Sequence, residues 1–205
     1  MGTVKASETQ LNSARALYIH AKADGLSADL SPTMQLFIQA STNHDQAAAT
    51  ELLGKMSPFE LGEAAYVSRN YGMAQKYWLP LAQSGDVAAQ LNVGLMYSNG
   101  ANGATQSDSE TFKWYRLAAT QGSEVAQENL AVLFQEGRGV TENPKQVFVW
   151  LSLAAEQAVS DGHNATSISL INRRDKFAQQ LSPEDRDQAL KLVTQCSASQ
   201  YKDCE

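Results

Sequence analysis

Long apolar runs, basic clusters and cysteines are scarce in this 205-residue chain. No stretch approaches the roughly 18 consecutive apolar residues of a membrane-spanning helix, so we expect no membrane insertion. Acidic side chains outnumber basic ones, 22 to 16, and no group of Lys and Arg interleaves with aromatic residues. Nucleic acid is therefore not an expected partner. Hydrophobic residues still make up 43% of the chain, enough for a packed core.

Catalytic and ligand-binding motifs are absent as well. The sequence has no phosphate loop ending in Gly-Lys-Ser/Thr, no Gly-x-Ser-x-Gly elbow, no His-Glu-x-x-His and no aspartate-rich calcium loop. The histidines at positions 20, 44 and 163 are far apart, and His44 and His163 neighbour turn-forming residues, which favours surface or capping roles over a metal site. We predict a protein that is not an enzyme and needs no metal or cofactor.

Only two cysteines occur, Cys196 and Cys204, both near the C-terminal end of the sequence. They could form a disulfide that pins the last helix to its tail, which would require an oxidising compartment. They could equally be two unrelated thiols in a frayed terminus. The sequence leaves both open, because the bond needs Cα atoms within roughly 7 Å of each other.

A segment of about a dozen residues recurs three times. The copies begin at Ala74, Thr111 and Val147, at intervals of 37 and 36 residues, and contain Trp78, Trp114 and Trp150. A second kind of segment precedes the later two copies, at 89–100 and 126–137. Two alternating segments at a fixed interval are typical of a repeat protein built from helix pairs.

The hydrophobic periodicity and the helix-capping residues both indicate helices. Apolar and small residues in 89–100 fall at steps of three and four, which is one face of a helix. Gly100 and Gly137 stand where helix C-terminal glycines belong, and Ser107 with Glu110 forms a potential capping box. Asn143 precedes a proline and can cap the next helix. The motif 137–140, Gly-Arg-Gly-Val, follows a helix rather than a strand, so we interpret it as a turn and not as a phosphate cradle.

These residues resemble a known family. Gln90-x-x-Val-Gly-x-Met-Tyr-x-x-Gly100, Lys113-Trp-Tyr-x-x-Ala-Ala-x-x-Gly122 and Gly137-Arg-Gly-Val140 are similar to the Sel-one-like repeat, a relative of the tetratricopeptide repeat. Ala131 and Ala158 stand where the family usually has glycine, a departure that concerns packing. The resemblance implies an all-α fold, a right-handed α-solenoid of stacked antiparallel helix pairs.

The resemblance divides the chain into three parts. Residues 57–158 hold three repeats, of which the first is shorter and more like a plain tetratricopeptide repeat. Residues 1–56 are expected to form N-terminal helices at 9–23, 31–40 and 45–56 that pack on the solenoid. Residues 159–205 are expected to form a capping helix pair, at 165–181 and 182–196, and a tail.

A solenoid of this kind is expected to bind another protein or peptide through its concave face. The first helix of each pair has a row of positions that are not assigned to packing. These positions form a candidate partner-binding stripe: Phe59, Glu63, Tyr66, Leu91, Leu95, Ser98, Glu128, Val132 and Gln135. The apolar members could instead pack against a neighbouring helix.

Two functions remain open from the sequence. The first is a protein-interaction adaptor or regulatory scaffold. The resemblance implies a bacterial member of the family, periplasmic or otherwise exported with its signal peptide removed, with the cytoplasm as the alternative. The second is an immunity or inhibitor protein that neutralises a toxic effector enzyme.

Overall fold

A computed structural model describes residues 36, 39–40, 46–67, 69–100, 106–202 and 204. Every regular element in these ranges is an α-helix: α1 (Gln46–Leu53), α2 (Pro58–Val67), α3 (Tyr71–Gln83), α4 (Val87–Ser98), α5 (Asp108–Ala119), α6 (Glu124–Glu136), α7 (Pro144–Ser160), α8 (Asn164–Ala178) and α9 (Pro183–Ala198). The helix predicted at 9–23, and all but three residues of the one at 31–40, lie outside the described residues. None of the described helices is both long and apolar enough to cross a membrane.

The chain divides into two compact units, Met1–Leu81 and Ala82–Glu205. In the first unit, Ser57 and Glu60 form a complete capping box at the start of α2, with the Ser57 N–H donating to the Glu60 carboxylate at 2.8 Å. Trp78 of α3 is buried and donates its indole N–H to the carbonyl of Phe59 at 3.1 Å. The indole lies directly on Gly62, where an added Cβ would come within 2.3 Å of it. Any side chain at Gly62 would therefore displace the tryptophan that holds α2 and α3 together.

The second unit is a stack of helix pairs. Short turns at 120–123 and 161–163 join α5 to α6 and α7 to α8. The two helices of each pair therefore run antiparallel to each other. α5 packs against α4 and α6, and α7 packs against α6, α8 and α9. Contact on three sides leaves every residue from 147 to 155 buried, including Trp150. α7 is the centre of the core, and its burial explains why its sequence is apolar on all faces.

Local caps set the helix boundaries in this unit. Asn143 accepts from the N–H groups of two residues in the first turn of α7, and Gly137 ends α6 in the left-handed conformation with φ 66°, both as predicted. Ser107 also caps α5 as predicted, by accepting from the Glu110 N–H. The Glu110 carboxylate, however, accepts from the indole N–H of Trp114 at 3.0 Å. The carboxylate thereby satisfies a largely buried donor on the same helix face.

The C-terminal tail is fastened to α7 and α9. Cys196 and Cys204 are both buried and form a disulfide with a Cα–Cα distance of 4.7 Å. The Cys204 carbonyl accepts from the side-chain amide of Gln146 in α7 at 3.3 Å. The hydroxyl of Tyr201 donates to Gln157, also in α7, at 3.0 Å. These contacts bring the end of the chain back onto the central helix.

Candidate partner-binding surface

The predicted stripe on α4 lies beside the buried face of that helix. Val93 and Met96 are buried in the core, whereas Leu91, Leu95 and Ser98 are half-buried. Leu91 packs against the core of the second unit. Val93 and Met96 belong to the predicted apolar face of 89–100, and their burial confirms that this face packs, while the adjoining stripe keeps part of its surface accessible.

The equivalent stripe on α6 has the same position relative to its core face. Val132 and Glu128 are half-buried and Gln135 is exposed, while the core residues of the helix are almost fully buried. The Glu128 carboxylate forms an ion pair with Arg173 of α8. The helix pair that follows the third repeat therefore contributes a cation to this stripe, which the sequence analysis missed.

Arg138, in the turn after α6, fixes the polar end of the α4 stripe. Its guanidinium donates to Asp108 Oδ1 at 2.8 and 3.0 Å and to Ser98 Oγ at 3.4 Å, and pairs with Glu136 at 3.4 Å. The hydrogen bond to Asp108 is the main cause that raises the pKa of Arg138. The turn at 137–140 is thus structural, as predicted: it joins one repeat to the preceding one through charge-assisted hydrogen bonds. An arginine between two glycines was the available signal for this role.

Two glutamines join helices inside the stack in the same way. Gln90 Nε2 donates to the Ala82 carbonyl at 3.1 Å, and Gln127 Nε2 donates to the Ala119 carbonyl at 3.2 Å. The glutamines occupy equivalent positions in α4 and α6, and both acceptors lie at the C-terminal end of the preceding helix. Each carbonyl also accepts from the backbone N–H of a turn glycine, Gly85 or Gly122, so the glutamine amide is its second donor. The sequence shows a glutamine at the same position of the segments 89–100 and 126–137, but not that each one reaches the preceding helix.

In the first unit, the predicted stripe lies next to an aromatic cluster. The rings of Phe59 and Tyr66 lie 6.1 and 5.5 Å from that of Trp78, measured between centroids. Glu63 is half-buried, and burial, with a smaller contribution from Glu60, raises the pKa of its carboxyl to about 7. The three predicted residues in this unit, Phe59, Glu63 and Tyr66, are all half-buried.

A separate group of polar residues links the start of α6 to the turn between α7 and α8. His163 Nδ1 lies 2.8 Å from Glu124 Oε2, and the potential ligand atoms of Glu124, Asp161 and His163 all lie within 4.8 Å of one another. The hydrogen bond to Glu124 is the main cause that raises the pKa of His163. His163 occupies the N-cap position of α8 but makes no side-chain capping bond. Its predicted surface location is confirmed, and its partner is a carboxylate at the start of α6.

Three stretches of the chain, residues 47–86, 87–123 and 125–159, match the Sel1 repeat and together make up more than half of the sequence. The chain belongs to the Sel1 repeat family. The predicted all-helical stack of such repeats is confirmed, and Sel1 repeats are typical protein-interaction modules.

One solved structure supports the fold of this Sel1 repeat protein. It is the crystal structure of c5321, a protective antigen present in uropathogenic Escherichia coli strains displaying an SLR fold. The two align with a TM-score of 0.61 and 19% sequence identity over 94% of this chain. The chain spans only 46% of that protein's length. No curated protein matches the sequence.

Proposed function

We propose that this Sel1 repeat protein is a non-enzymatic adaptor or regulatory scaffold that binds a partner protein through the stripes on α4 and α6. The observation that supports this most is the partial exposure of Leu95 and Val132, which lie beside fully buried core faces on successive first helices. Apolar side chains in such positions are suited to anchor a partner, because binding removes their remaining surface from water.

The polar members of the stripes are held in place before any partner arrives. Arg138 donates to Ser98, and Arg173 pairs with Glu128, so both polar groups have neighbours that restrict their rotamers. A pre-ordered surface loses less side-chain entropy on binding, which favours affinity. In the first unit, Phe59, Glu63 and Tyr66 remain the predicted contact residues.

The compartment proposed for this function is oxidising, periplasmic or otherwise exported. The support is the disulfide between Cys196 and Cys204, because reducing compartments keep such pairs as thiols. The test is alkylation of thiols in freshly lysed cells, followed by mass measurement of the intact protein. An unalkylated pair supports export, and two alkylated cysteines would place the protein in the cytoplasm.

Affinity purification from the native cells, followed by mass spectrometry, tests the binding surface. The informative bait is the double variant Leu95→Glu/Val132→Glu; Leu91 is spared because it packs against the core and its substitution could unfold the helix. The matched control is Leu117→Glu/Ile168→Glu, which adds the same charge at apolar side chains that are 41% and 61% exposed elsewhere in the second unit. Circular dichroism first establishes that both variants fold.

We expect the stripe variant to lose partners that the control variant retains. Equal retention by both folded variants would refute the proposed surface. Several partners of micromolar affinity support a scaffold. If the protein binds a single toxic enzyme at nanomolar affinity, the result supports the inhibitor function and contradicts the scaffold function.

A further inference from the structure

Three buried side-chain atoms have no hydrogen-bond partner in the part of the chain that the structure describes. They are Gln127 Oε1, Gln146 Oε1 and Trp150 Nε1. A buried polar atom without a partner is unfavourable, because folding removes its bond to water and puts nothing in its place. All three atoms belong to α6 and α7, the helix pair of the third matched repeat.

The preceding repeat, formed by α4 and α5, pairs the equivalent atoms. Glu110 accepts from Trp114 Nε1 at 3.0 Å, and Gln121 Nε2 donates to Gln90 Oε1 at 2.8 Å. Offsets of 36 and 37 residues place the same kinds of group in the third repeat: Gln146, Trp150, Gln157 and Gln127. A glutamine oxygen accepts from an indole as a carboxylate does, so the third repeat has side chains that could form both bonds.

The C-terminal tail, which follows α9, engages both glutamines of α7 instead. Gln146 Nε2 donates to the Cys204 carbonyl at 3.3 Å, and the Tyr201 hydroxyl donates to Gln157 Oε1 at 3.0 Å. Gln157 Nε2 is turned toward Asp161, to which it donates at 3.0 Å. The two glutamines lie about three helical turns apart on one face of α7, with Trp150 between them. The position of the tail therefore accounts for all three unpaired atoms.

The backbone of the tail is also held in an unfavourable conformation. Gln200 and Tyr201 have φ angles of 54° and 65°, in the left-handed region, whereas the turns after α3, α5 and α7 use glycine there. The Tyr201 ring packs on Gly122, where an added Cβ would lie 3.0 Å from it. Strained residues of this kind persist only where surrounding contacts enforce them. The disulfide between Cys196 and Cys204 is the covalent contact that does so here.

We propose that the tail is an oxidation-dependent latch that switches the third repeat between two hydrogen-bond arrangements. With the disulfide formed, the tail holds Gln146 and Gln157 and leaves the three buried atoms unpaired. With both thiols free, the tail leaves α7 and the bonds of the preceding repeat form: Gln146 accepts from Trp150, and Gln157 donates to Gln127.

The disulfide decides between the arrangements because it keeps the tail beside α7 at a high effective concentration. On closing, Cys196 and Cys204 give two electrons and two protons to a disulfide-bearing oxidant, which becomes a dithiol as the Sγ–Sγ bond forms. A dithiol reductant reverses the step and is itself oxidised to a disulfide. Without the bond, the tail's contacts must outweigh three unpaired atoms and two left-handed residues, so the open arrangement is favoured. The latch involves no partner protein and is independent of the proposed binding surface.

Nuclear magnetic resonance of the indole N–H groups tests the latch in the full-length protein, before and after reduction with dithiothreitol. We expect the Trp150 indole proton to move downfield on reduction, because it gains an acceptor. The Trp78 and Trp114 indoles should stay in place, since Phe59 and Glu110 already accept from them. The backbone amides of Gln200 and Tyr201 should narrow and approach random-coil positions. Cys204→Ser should give the spectrum of the reduced protein without reductant.

Gln146→Leu tests the pivot of the switch, because leucine offers no acceptor. In this variant the Trp150 proton should not move downfield on reduction. The matched control is Gln195→Leu, the same change at an exposed position of α9 beside Cys196, which should keep the full response.

Four results would overturn the latch. The first is a Trp150 resonance that is the same in the oxidised and reduced protein, a comparison that needs no variant. The second is an oxidised-like spectrum of Cys204→Ser, and the third is an equal response of Gln146→Leu and Gln195→Leu. The fourth is loss of the Trp78 and Trp114 signals on reduction, which would show that the disulfide holds the whole fold and does not switch one repeat.

Discussion

Gly139 should be the most sensitive position in the turn that joins α6 to α7. Its φ is +70°, a left-handed conformation, and an added Cβ would lie 2.2 Å from the carbonyl oxygen of Asp108 and 3.0 Å from the Ser109 nitrogen. Both neighbours are backbone atoms at the start of α5, so they cannot rotate away as a side chain would. Gly137 in the same turn has a similar φ of +66°, but its added Cβ would meet no atom closer than 3.7 Å.

The two glycines therefore separate conformational strain from steric overlap. A non-glycine residue in the left-handed region costs roughly 1–2 kcal/mol, which applies to both Gly137→Ala and Gly139→Ala. Forcing an extra carbon into a packed contact costs about 1–3 kcal/mol more, which applies only to Gly139→Ala. We expect losses of roughly 1–2 kcal/mol for Gly137→Ala and about 2–5 kcal/mol for Gly139→Ala. The effect of glycine on the unfolded chain is common to both and cancels in the comparison.

Urea denaturation followed by the helical circular dichroism signal measures both losses. Thermal melts give a second measure, because for a chain of this size each 1 kcal/mol of lost stability should lower the melting temperature by about 2–4 °C. If the slope of the unfolding free energy against urea concentration is unchanged, the variants expose the same amount of surface on unfolding as the original protein. Equal losses for the two variants would refute the close approach of the turn to α5.

Three further outcomes follow from contacts elsewhere. Because burial raises the pKa of Glu63 to about 7 from its ordinary value of 4.5, the folded state binds the proton more tightly, and stability should fall as pH rises from about 4.5 through 7. Glu63→Gln should remove that fall. Urea titrations should show the variant about 1 kcal/mol more stable than the original protein at pH 8, after allowance for solvent screening, and equally stable at pH 4. Reduction of the Cys196–Cys204 disulfide, which closes a short loop of sequence separation 8, should cost about 2–3 kcal/mol in the same assay; an unchanged midpoint would show that the tail contributes nothing to folding. Gln127→Met keeps the side-chain volume but removes the amide that donates to the Ala119 carbonyl, which retains the Gly122 N–H as its other donor, so we expect a loss of about 0.5–1.5 kcal/mol, and a variant as stable as the original would contradict the capping role.

Local features of the fold were predictable because they depend on residues three or four positions apart. Asn143 before a proline and Gly137 at a helix end each indicate a helix boundary without reference to the rest of the chain. The recurrence of Trp78, Trp114 and Trp150 every 36 residues indicates the repeat instead. The structure confirms the caps, and all three tryptophans are buried. The capping-box prediction at Glu110 was half wrong, because the buried indole of Trp114 competes for the same carboxylate.

The stripes were predictable only as positions on a helix. A period of 3.6 residues separates the buried face of α4 from its neighbour, so Leu91, Leu95 and Ser98 could be identified as one row. Periodicity cannot tell how deep such a row lies, since depth depends on the element packed beside it. Leu91 packs against the core and Ser98 contacts Arg138, and both follow from the turn and helices of the next repeat.

The sequence by itself determined the repeat, the helices and their ends, because each is an outcome of local spacing and capping chemistry. Tertiary structure decided which side chains meet across repeats. Arg138 reaches Asp108, His163 reaches Glu124 and Arg173 reaches Glu128 over sequence separations of 30, 39 and 45 residues. Those pairings depend on how one helix pair stacks on the next, and stacking is set by the summed packing of buried faces rather than by any motif within a single repeat.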